Sequence, residues 1–388
     1  MTLGVGVTSG AGPLHGLKIV EMAGVGPGPM CAMLMADLGA QVVRIEKAGG
    51  SGLGIPRPRK YDLVLRSRPA VVVDVKSKAG HAALMDLISQ ADALMEGFRP
   101  GTMERLGLGP QECFEVNRRL TYGRVTGWGQ DGPLADVAGH DLNYVALTGV
   151  LHAIGSAERP AIPLNLIGDY AGGALYLAFG ILAAILEARS SGRGQVVDAA
   201  MVDGVASLSA LFQGLIAAGA HGVQRGQSVL DGGAPFYGVY QCADDHWVSI
   251  APIEPKFYLE LLHALGIAPH SVGGQYEQAH WPQARRMLSD VFRTRTRAEW
   301  AQLLEHTNAC FSQVLTFVEA PRHPHLAARG TFVEVDGVQH PRAAPRFSRT
   351  MASDPCAPDD GPQMPEQALQ QWLDADAIRR HRENGAFG

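Results

Sequence analysis

Cysteine is scarce in this chain of 388 residues. The five present, Cys31, Cys113, Cys242, Cys310 and Cys356, form no CxxC pair and stand near no histidine at zinc-ligand spacing. A disulfide scaffold and a zinc module are therefore excluded, and no metal is expected. Charge is thin as well: 18% of residues are Asp, Glu, Lys or Arg and the formal net charge is -5. That balance excludes a general nucleic-acid binder but leaves room for a local basic cluster that holds a phosphorylated small molecule. The longest apolar run, 174–188, falls short of the roughly 20 residues that span a bilayer. No basic segment leads into an apolar core at the start, so the opening "MTLGVGVTSGAGPLHG" is expected to be a flexible lead-in and not a signal peptide. The closing "GAFG" carries no peroxisomal signal. Apolar residues, by contrast, make up 46%, enough for a large core shared by two or three domains. The expectation is a cytoplasmic, globular protein with small-molecule partners, neither nucleic acid nor membrane.

From Leu17 the chain reads as strand, Gly/Pro turn, helix, strand: "LKIVEMA", "GVGPGP", "MCAMLMADLG", "QVVRIEK". The unit recurs as "AVVVDV" (70–75), an amphipathic stretch 77–90 and "DALMEGF" (92–98). A helix over 110–119 and the strand-like "LTYGRVTG" follow. Strands alternating with helices predict an α/β fold with a parallel, Rossmann-like sheet and ligands at the carboxyl ends of its strands. Later come Ala/Leu-rich helices over 170–189 and 198–220, a Gly-rich break, a strand-rich section that reads as a smaller α+β domain, and a Pro-rich tail with a polar helix over 365–380. The expected division is a large domain from 1–200, a linker 201–230, a small domain 231–320, and 321–388 as linker and C-terminal return to the large domain. No internal repeat is convincing.

The N-terminal glycines suggest dinucleotide binding, with Glu46 in the place of the ribose-binding acid. The G-x-G-x-x-G pattern fails at Pro29, and Pro27 and Pro29 each lack the N–H that a pyrophosphate would need. A tight turn that lets backbone approach a ligand is the reading that remains.

His140, in "GHDLNYVALTGVL", has an ordinary pKa near working pH and sits ahead of an apolar helix. Asp169, in "NLIGDYAGG", is a candidate N-cap. It is also a candidate acid or base, because burial at a helix mouth would raise its pKa. N–H groups at the same helix start could receive an oxyanion. Arg44, Lys47, Lys76, Arg99 and Arg105 follow or end predicted strands, where phosphate ligands collect. Glu254 stands rigidly between Pro252 and Pro255. Met30, Met33, Met35 and Met201 are candidates for lining an apolar ligand surface, with core packing the plainer alternative.

Taken together, "GLKIVEMAGVGPGP", "LGAQVVRIEK", "DVKS", "EGFRPGTMERLGLGP", "TGWGQDGP", "AGHDLNY", "NLIGDYAGG", "GRGQVVDAAMVDG", "LDGGAPFYGVYQC" and "IEPKFY" closely resemble the class III CoA-transferase superfamily, in order from about 13 to at least 349. Within it the resemblance is to members that racemise 2-methylacyl-CoA thioesters. It implies a Rossmann-like large domain, a smaller domain on two linkers, and an interlocked homodimer whose active site lies between the large domain of one subunit and the small domain of the other. It implies His140 and Asp169 as the catalytic pair, with Glu254 reaching from the partner subunit to hold His140. It places CoA against Lys47, Val73, Asp74, Val75, Lys76, Gly97, Phe98, Arg99, Arg105, Gly139, Asp141, Leu142, Asn143 and Tyr144. Lys47 stands where Arg is usual, which keeps the charge and loses the bidentate fork.

The implied reaction is 1,1-proton transfer through an enolate, with one of His140 and Asp169 as base and the other as acid. No redox cofactor is called for, since CoA arrives as part of the substrate. The alternative within the superfamily is a CoA-transferase that uses Asp169 as nucleophile. Its counterpart of the "GHD-NY" motif usually lacks the histidine, so His140 separates the two chemistries.

Overall fold

The computed structural model describes residues 12–50 and 52–388, so most of the expected lead-in lies outside the described residues. The chain separates into two compact units, Met1–Thr148 with Leu164–Leu208 and Pro324–Gly388, and Gly149–Pro163 with Ser209–His323. Residues 149–163, expected within the large domain, group with the second unit, as do residues 209–230, expected as linker.

The first unit opens with β1 (Lys18–Met22), α1 (Pro27–Asp37), β2 (Gln41–Glu46), β3 (Ala70–Val72), α2 (Lys78–Ser89) and β4 (Ala93–Glu96). It continues through α3 (Thr102–Arg105), α4 (Pro110–Val116), β5 (Thr121–Thr126) and α5 (Asp141–Leu147). After α6 (Val150–Ala153), which belongs to the second unit, come a π-helical segment Leu166–Leu175, α7 (Tyr176–Ser191), β6 (Gln195–Ala200) and α8 (Met201–Leu208). The six strands lie in the order β3-β2-β1-β4-β5-β6, and every pairing is parallel. Both faces of a parallel sheet are covered, which is why its inner strands read as nearly unbroken apolar runs. Alternate residues of β1 divide between the faces: Val20 and Met22 join α2 residues Leu84 and Leu87, and Ile19 joins Cys31 and Met35 of α1 and Leu177 and Ile181 of α7. Ser77 starts α2 as a cap, its Oγ accepting the Gly80 N–H at 2.9 Å.

Two sequence expectations change here. The helix expected over 198–220 divides, because 195–200 pairs with β5 as the edge strand β6; its Ala-rich end resembles helix, and the pairing decides otherwise. The helix expected over 170–189 is also longer, and so is its apolar stretch. Leu166–Ser191 runs as 26 continuous helical residues, within which an 18-residue stretch has mean hydropathy 1.8, long and apolar enough by length and composition to cross a membrane. Its inner side, including Ala174, Leu177, Ile181 and Ile185, is buried against the sheet.

The second unit carries α9 (Ala210–Ala217), then an antiparallel sheet of β7 (Gly238–Gln241), β8 (Trp247–Ile250) and β9 (Phe311–Gln313), which also frames α10 (Pro255–Ala264), α11 (Pro269–Val272), α12 (Trp281–Phe292) and α13 (Arg297–Leu304). Its own core gathers Phe236, Tyr240, Tyr258, Trp281, Phe292 and Trp300. The chain returns to the first unit with α14 (Pro324–Ala328), a hairpin β10 (Phe332–Val335) and β11 (Val338–Pro341), α15 (Pro365–Ala368) and α16 (Ala375–Glu383). The helix expected over 365–380 is broken, since Asp374 caps a new start at α16 by accepting the Ala377 N–H at 2.7 Å. Trp372, Leu373, Ala377 and Ile378 complete the core beside α2, and Phe387 bridges to Val73 at the β3 edge.

Candidate active site

The site forms at the carboxyl end of the sheet. The turn from β1 to α1 is held from below by a buried ion network: Glu21 receives both Arg44 and Arg68, whose pull outweighs burial and keeps its pKa below the ordinary carboxylate range. The same arginines reach the turn itself, Arg44 donating to Gly24 O and Arg68 to Pro29 O, each at 3.2 Å. Arg44 is therefore not a phosphate ligand as its strand-end position suggested; it is 6% exposed and paired with Glu21 and Glu46. Glu46 in turn is occupied by Arg44 and Arg59.

What this turn approaches is Asp169. Gly26 has φ +73°, and a Cβ built on it would lie 3.0 Å from Asp169 Oδ2. The glycine read from sequence as making room for a ligand makes room for this carboxylate. Asp169 itself is not an N-cap. The helical run begins at Leu166 after Asn165, so Asp169 lies one turn inside the π-helical segment. Its N–H donates to Asp141 Oδ1 at 2.7 Å, and that group is thus unavailable to an oxyanion. Gly168 permits the approach, since a Cβ there would meet Asp141 Oδ1 at 2.5 Å. Asn165 Nδ2 donates to Asp169 Oδ2 at 3.1 Å.

Burial pushes the Asp169 pKa up; the Asn165 hydrogen bond opposes this, Asp141 adds to it, and His140 pulls it down. The last effect places His140 within electrostatic reach of Asp169. His140 is the N-cap of α5, in extended backbone with an exposed side chain, and its N–H donates to Asn143 Oδ1 at 3.0 Å. The next residue, Asp141, is buried and holds Asp169, so one segment presents the imidazole and seats the carboxylate. Tyr144 packs edge-on to Trp128 with ring centroids 4.7 Å apart, and burial, then the charge of Asp169, raises its pKa. Asp141, expected against CoA, holds Asp169 here; Asn165 was not expected in the site, and its spacing four residues ahead of Asp169 is the signal that points to it.

The residues expected to meet CoA divide by exposure. Lys47, Asp74, Lys76, Gly97, Arg99, Arg105 and Asn143 are exposed, and Val75, Phe98, Gly139 and Leu142 are half-buried. Val73, Asp141 and Tyr144 are buried, and the Val73 side chain belongs to the core, leaving it no surface for a ligand. Lys47, 73–76 and 97–99 directly follow β2, β3 and β4, at the edge where an open parallel sheet binds ligands. A basic cleft of about 510 Å³ is lined by Val75, Lys76, Ser77, Lys78, His81, Arg105 and Leu106. Met33, Met35 and Met201 are buried and Met30 packs partly buried against the core, which is where the plainer reading placed them.

In the second unit, Glu254 is the exposed N-cap residue of α10. The loop before it is anchored through Pro252 and Ile253: Gln275 Nε2 donates to their carbonyls at 3.0 and 2.9 Å, and the Tyr276 hydroxyl donates to Ile253 O at 2.5 Å. Gln275 and Tyr276 were not anticipated, because nothing local in the sequence ties them to Glu254. Among the described residues no group of His, Cys, Asp and Glu is arranged to hold a metal ion.

Residues 14–365 match the model of CoA-transferase family III. The chain belongs to this family. Among family III relatives, the alpha-methylacyl-CoA racemase of Mus musculus is 43% identical over 342 residues, and that of Homo sapiens 42% identical over 343, each alignment covering 87% of both chains. A succinyl-CoA–L-malate CoA-transferase beta subunit of Chloroflexus aurantiacus is 30% identical over 368 residues, or 88% of this chain and 89% of that one. Among solved structures, the Mycobacterium tuberculosis protein Rv3272 superposes with a TM-score of 0.74 at 26% identity, covering 94% of this family III chain and all of that one. A Brucella suis protein described as CaiB/BaiF family shares the fold, with a TM-score of 0.77 at 22% identity over 93% of this chain and 98% of that one.

Proposed function

We propose that this protein interconverts the (R)- and (S)-forms of 2-methylacyl-CoA thioesters by 1,1-proton transfer. The observation that carries the proposal is the pairing of His140 with an Asp169 whose carboxyl is raised by burial. A racemase needs a group on each face of a planar carbon, one ready to accept a proton and one holding one. A carboxyl whose pKa is raised by burial, within electrostatic reach of an imidazole, meets that need. The racemases at 42–43% identity support the substrate class.

The thioester carbonyl acidifies the C2 hydrogen. One of His140 and Asp169 removes it and the other delivers a proton to the opposite face, the roles reversing with the hand of the substrate. Helix-start N–H groups near Asp169, other than its own, would stabilise the enolate oxygen. Glu254, supplied by the partner subunit of a homodimer, would orient His140 and favour its protonated form. The exposed basic residues Lys47, Lys76, Arg99 and Arg105 hold the phosphates of CoA, which enters with the substrate; no metal or redox cofactor takes part. We place the enzyme in the cytoplasm, without nucleic-acid or membrane partners; the inner side of its long apolar helix is buried against the sheet.

The alternative is a transferase that uses Asp169 as nucleophile, favoured by relatives such as the malate CoA-transferase subunit. The test is incubation of one pure enantiomer of a 2-methylacyl-CoA in deuterated water without an acceptor acid. Deuterium at C2 with loss of optical activity is the expected outcome, with His140→Ala severely impaired. A mixture that stays inert until a free acid is added, with His140→Ala only mildly affected, would establish the transferase instead.

A further inference from the structure

We propose that Glu96, Arg124 and Glu104 form a clamp that sets the spacing between two CoA-binding segments, residues 97–99 and Arg105, and that the Glu96 carboxylate makes CoA affinity depend on pH. The proposal rests on the acyl-CoA reading above and deepens it.

β4 ends in Glu96, which is 4% exposed. Its Oε2 accepts the Phe98 N–H at 2.7 Å and so closes the turn that presents Gly97 and Arg99. In register with it on β5 stands Arg124, 8% exposed. Arg124 Nε lies 3.3 Å from Glu96 Oε1 and makes no hydrogen bond, while its terminal nitrogens donate to Gln130 Oε1 at 2.9 Å and to Glu104. Glu104 immediately precedes Arg105 on α3. One guanidinium thus joins the turn after β4 to the helix that carries Arg105. Neither Glu96 nor Arg124 is explained by the proton-transfer chemistry, and a desolvated ion pair is a costly way to fill a core unless it fixes something.

The charged and titratable groups acting on Glu96 are Arg124 on β5, Glu104 on α3 and Asp198 on β6; Tyr122, also on β5, spends its hydroxyl on Leu108 O. Burial raises the Glu96 pKa to about 7, with the Phe98 N–H and Arg124 pulling it down and Glu104 and Asp198 adding to the rise. Ionised Glu96 makes charge-assisted contacts with the Phe98 N–H and Arg124. Protonation weakens the first, since neutral hydrogen bonds are roughly half as strong, and removes the charge that attracts Arg124.

The test is calorimetric titration of the full chain with CoA at about pH 8 and about pH 6, for wild type, Glu96→Gln and Glu104→Gln. Gln at 96 keeps the shape and an acceptor for Phe98 but neither the charge nor the titration, and thermal melts confirm folding. The expected result is a roughly tenfold loss of affinity for E96Q at the higher pH, the worth of one charge-assisted contact, shrinking to within about twofold of wild type at the lower pH. Comparing variant with wild type at each pH cancels ionisation of CoA itself. E104Q, changed at a side chain 43% exposed, is expected to weaken binding at both values. Wild-type affinity in E96Q at pH 8, a deficit that does not shrink at pH 6, or unaltered affinity in E104Q would overturn the clamp. Failure of the wild type to bind CoA would overturn the acyl-CoA reading, and the clamp with it.

Discussion

Replacing Asp169 by Asn separates two properties that the site holds together. A carboxyl whose pKa rises on folding is favoured there in its protonated form. Its ionisation therefore weakens the fold as pH climbs from the ordinary aspartate range through the raised value, and the penalty is complete above that window. Asn carries no charge to desolvate and still offers an oxygen to Asn165. D169N is expected to lose about 10²- to 10⁴-fold in racemisation, the usual contribution of one acid–base group. Its melting temperature at pH 8 should equal or exceed that of wild type, and a clear fall would mean that Asp169 is ionised and stabilising in the fold.

The β1–α1 turn and the π-helical segment meet at the bare Cα of Gly26, so the prediction at this scale concerns their approach. Gly26→Ala puts a methyl 3.0 Å from Asp169 Oδ2 at a φ that L-residues rarely adopt. A cost of about 1–3 kcal/mol in denaturant unfolding is expected from the backbone alone, together with loss of racemisation because Asp169 is displaced. Full activity in G26A would show that the two elements can part without harm. This contact also marks how far the sequence could be read. The apolar runs and the turns between them made the alternation legible from β1 to β5, and the motifs around His140 and Asp169 named the candidate pair. β6 was hidden, because the alanines of Gln195–Ala200 favour helix until the strand finds β5. The internal place of Asp169 was hidden too, since the start at Leu166 has no capping side chain to announce it. The pairing of Arg44 with Glu21 was equally out of reach: they stand 23 positions apart, and nothing local distinguishes a buried arginine from one awaiting phosphate.

For the whole molecule, the proposed two-fold assembly makes a quantitative demand. If His140 and Glu254 in each site come from different subunits, mixing His140→Ala with Glu254→Ala chains builds heterodimers that have one intact site and one doubly impaired site. Random reassociation should restore about a quarter of wild-type activity, measured after joint denaturation and refolding; no recovery would place both residues on one subunit. The return of the chain to its starting unit acts at a different moment, during synthesis. His381 Nε2 on α16 donates to Asp86 Oδ2 on α2 at 2.7 Å across 295 residues of sequence, and Trp372 and Ile378 fill the same layer. At ribosomal speeds of about 5–20 residues per second, α2 of the nascent chain waits on the order of 15–60 s for that cover. During that interval its α2 flank is an apolar surface open to chaperones, and to other nascent chains of the same kind.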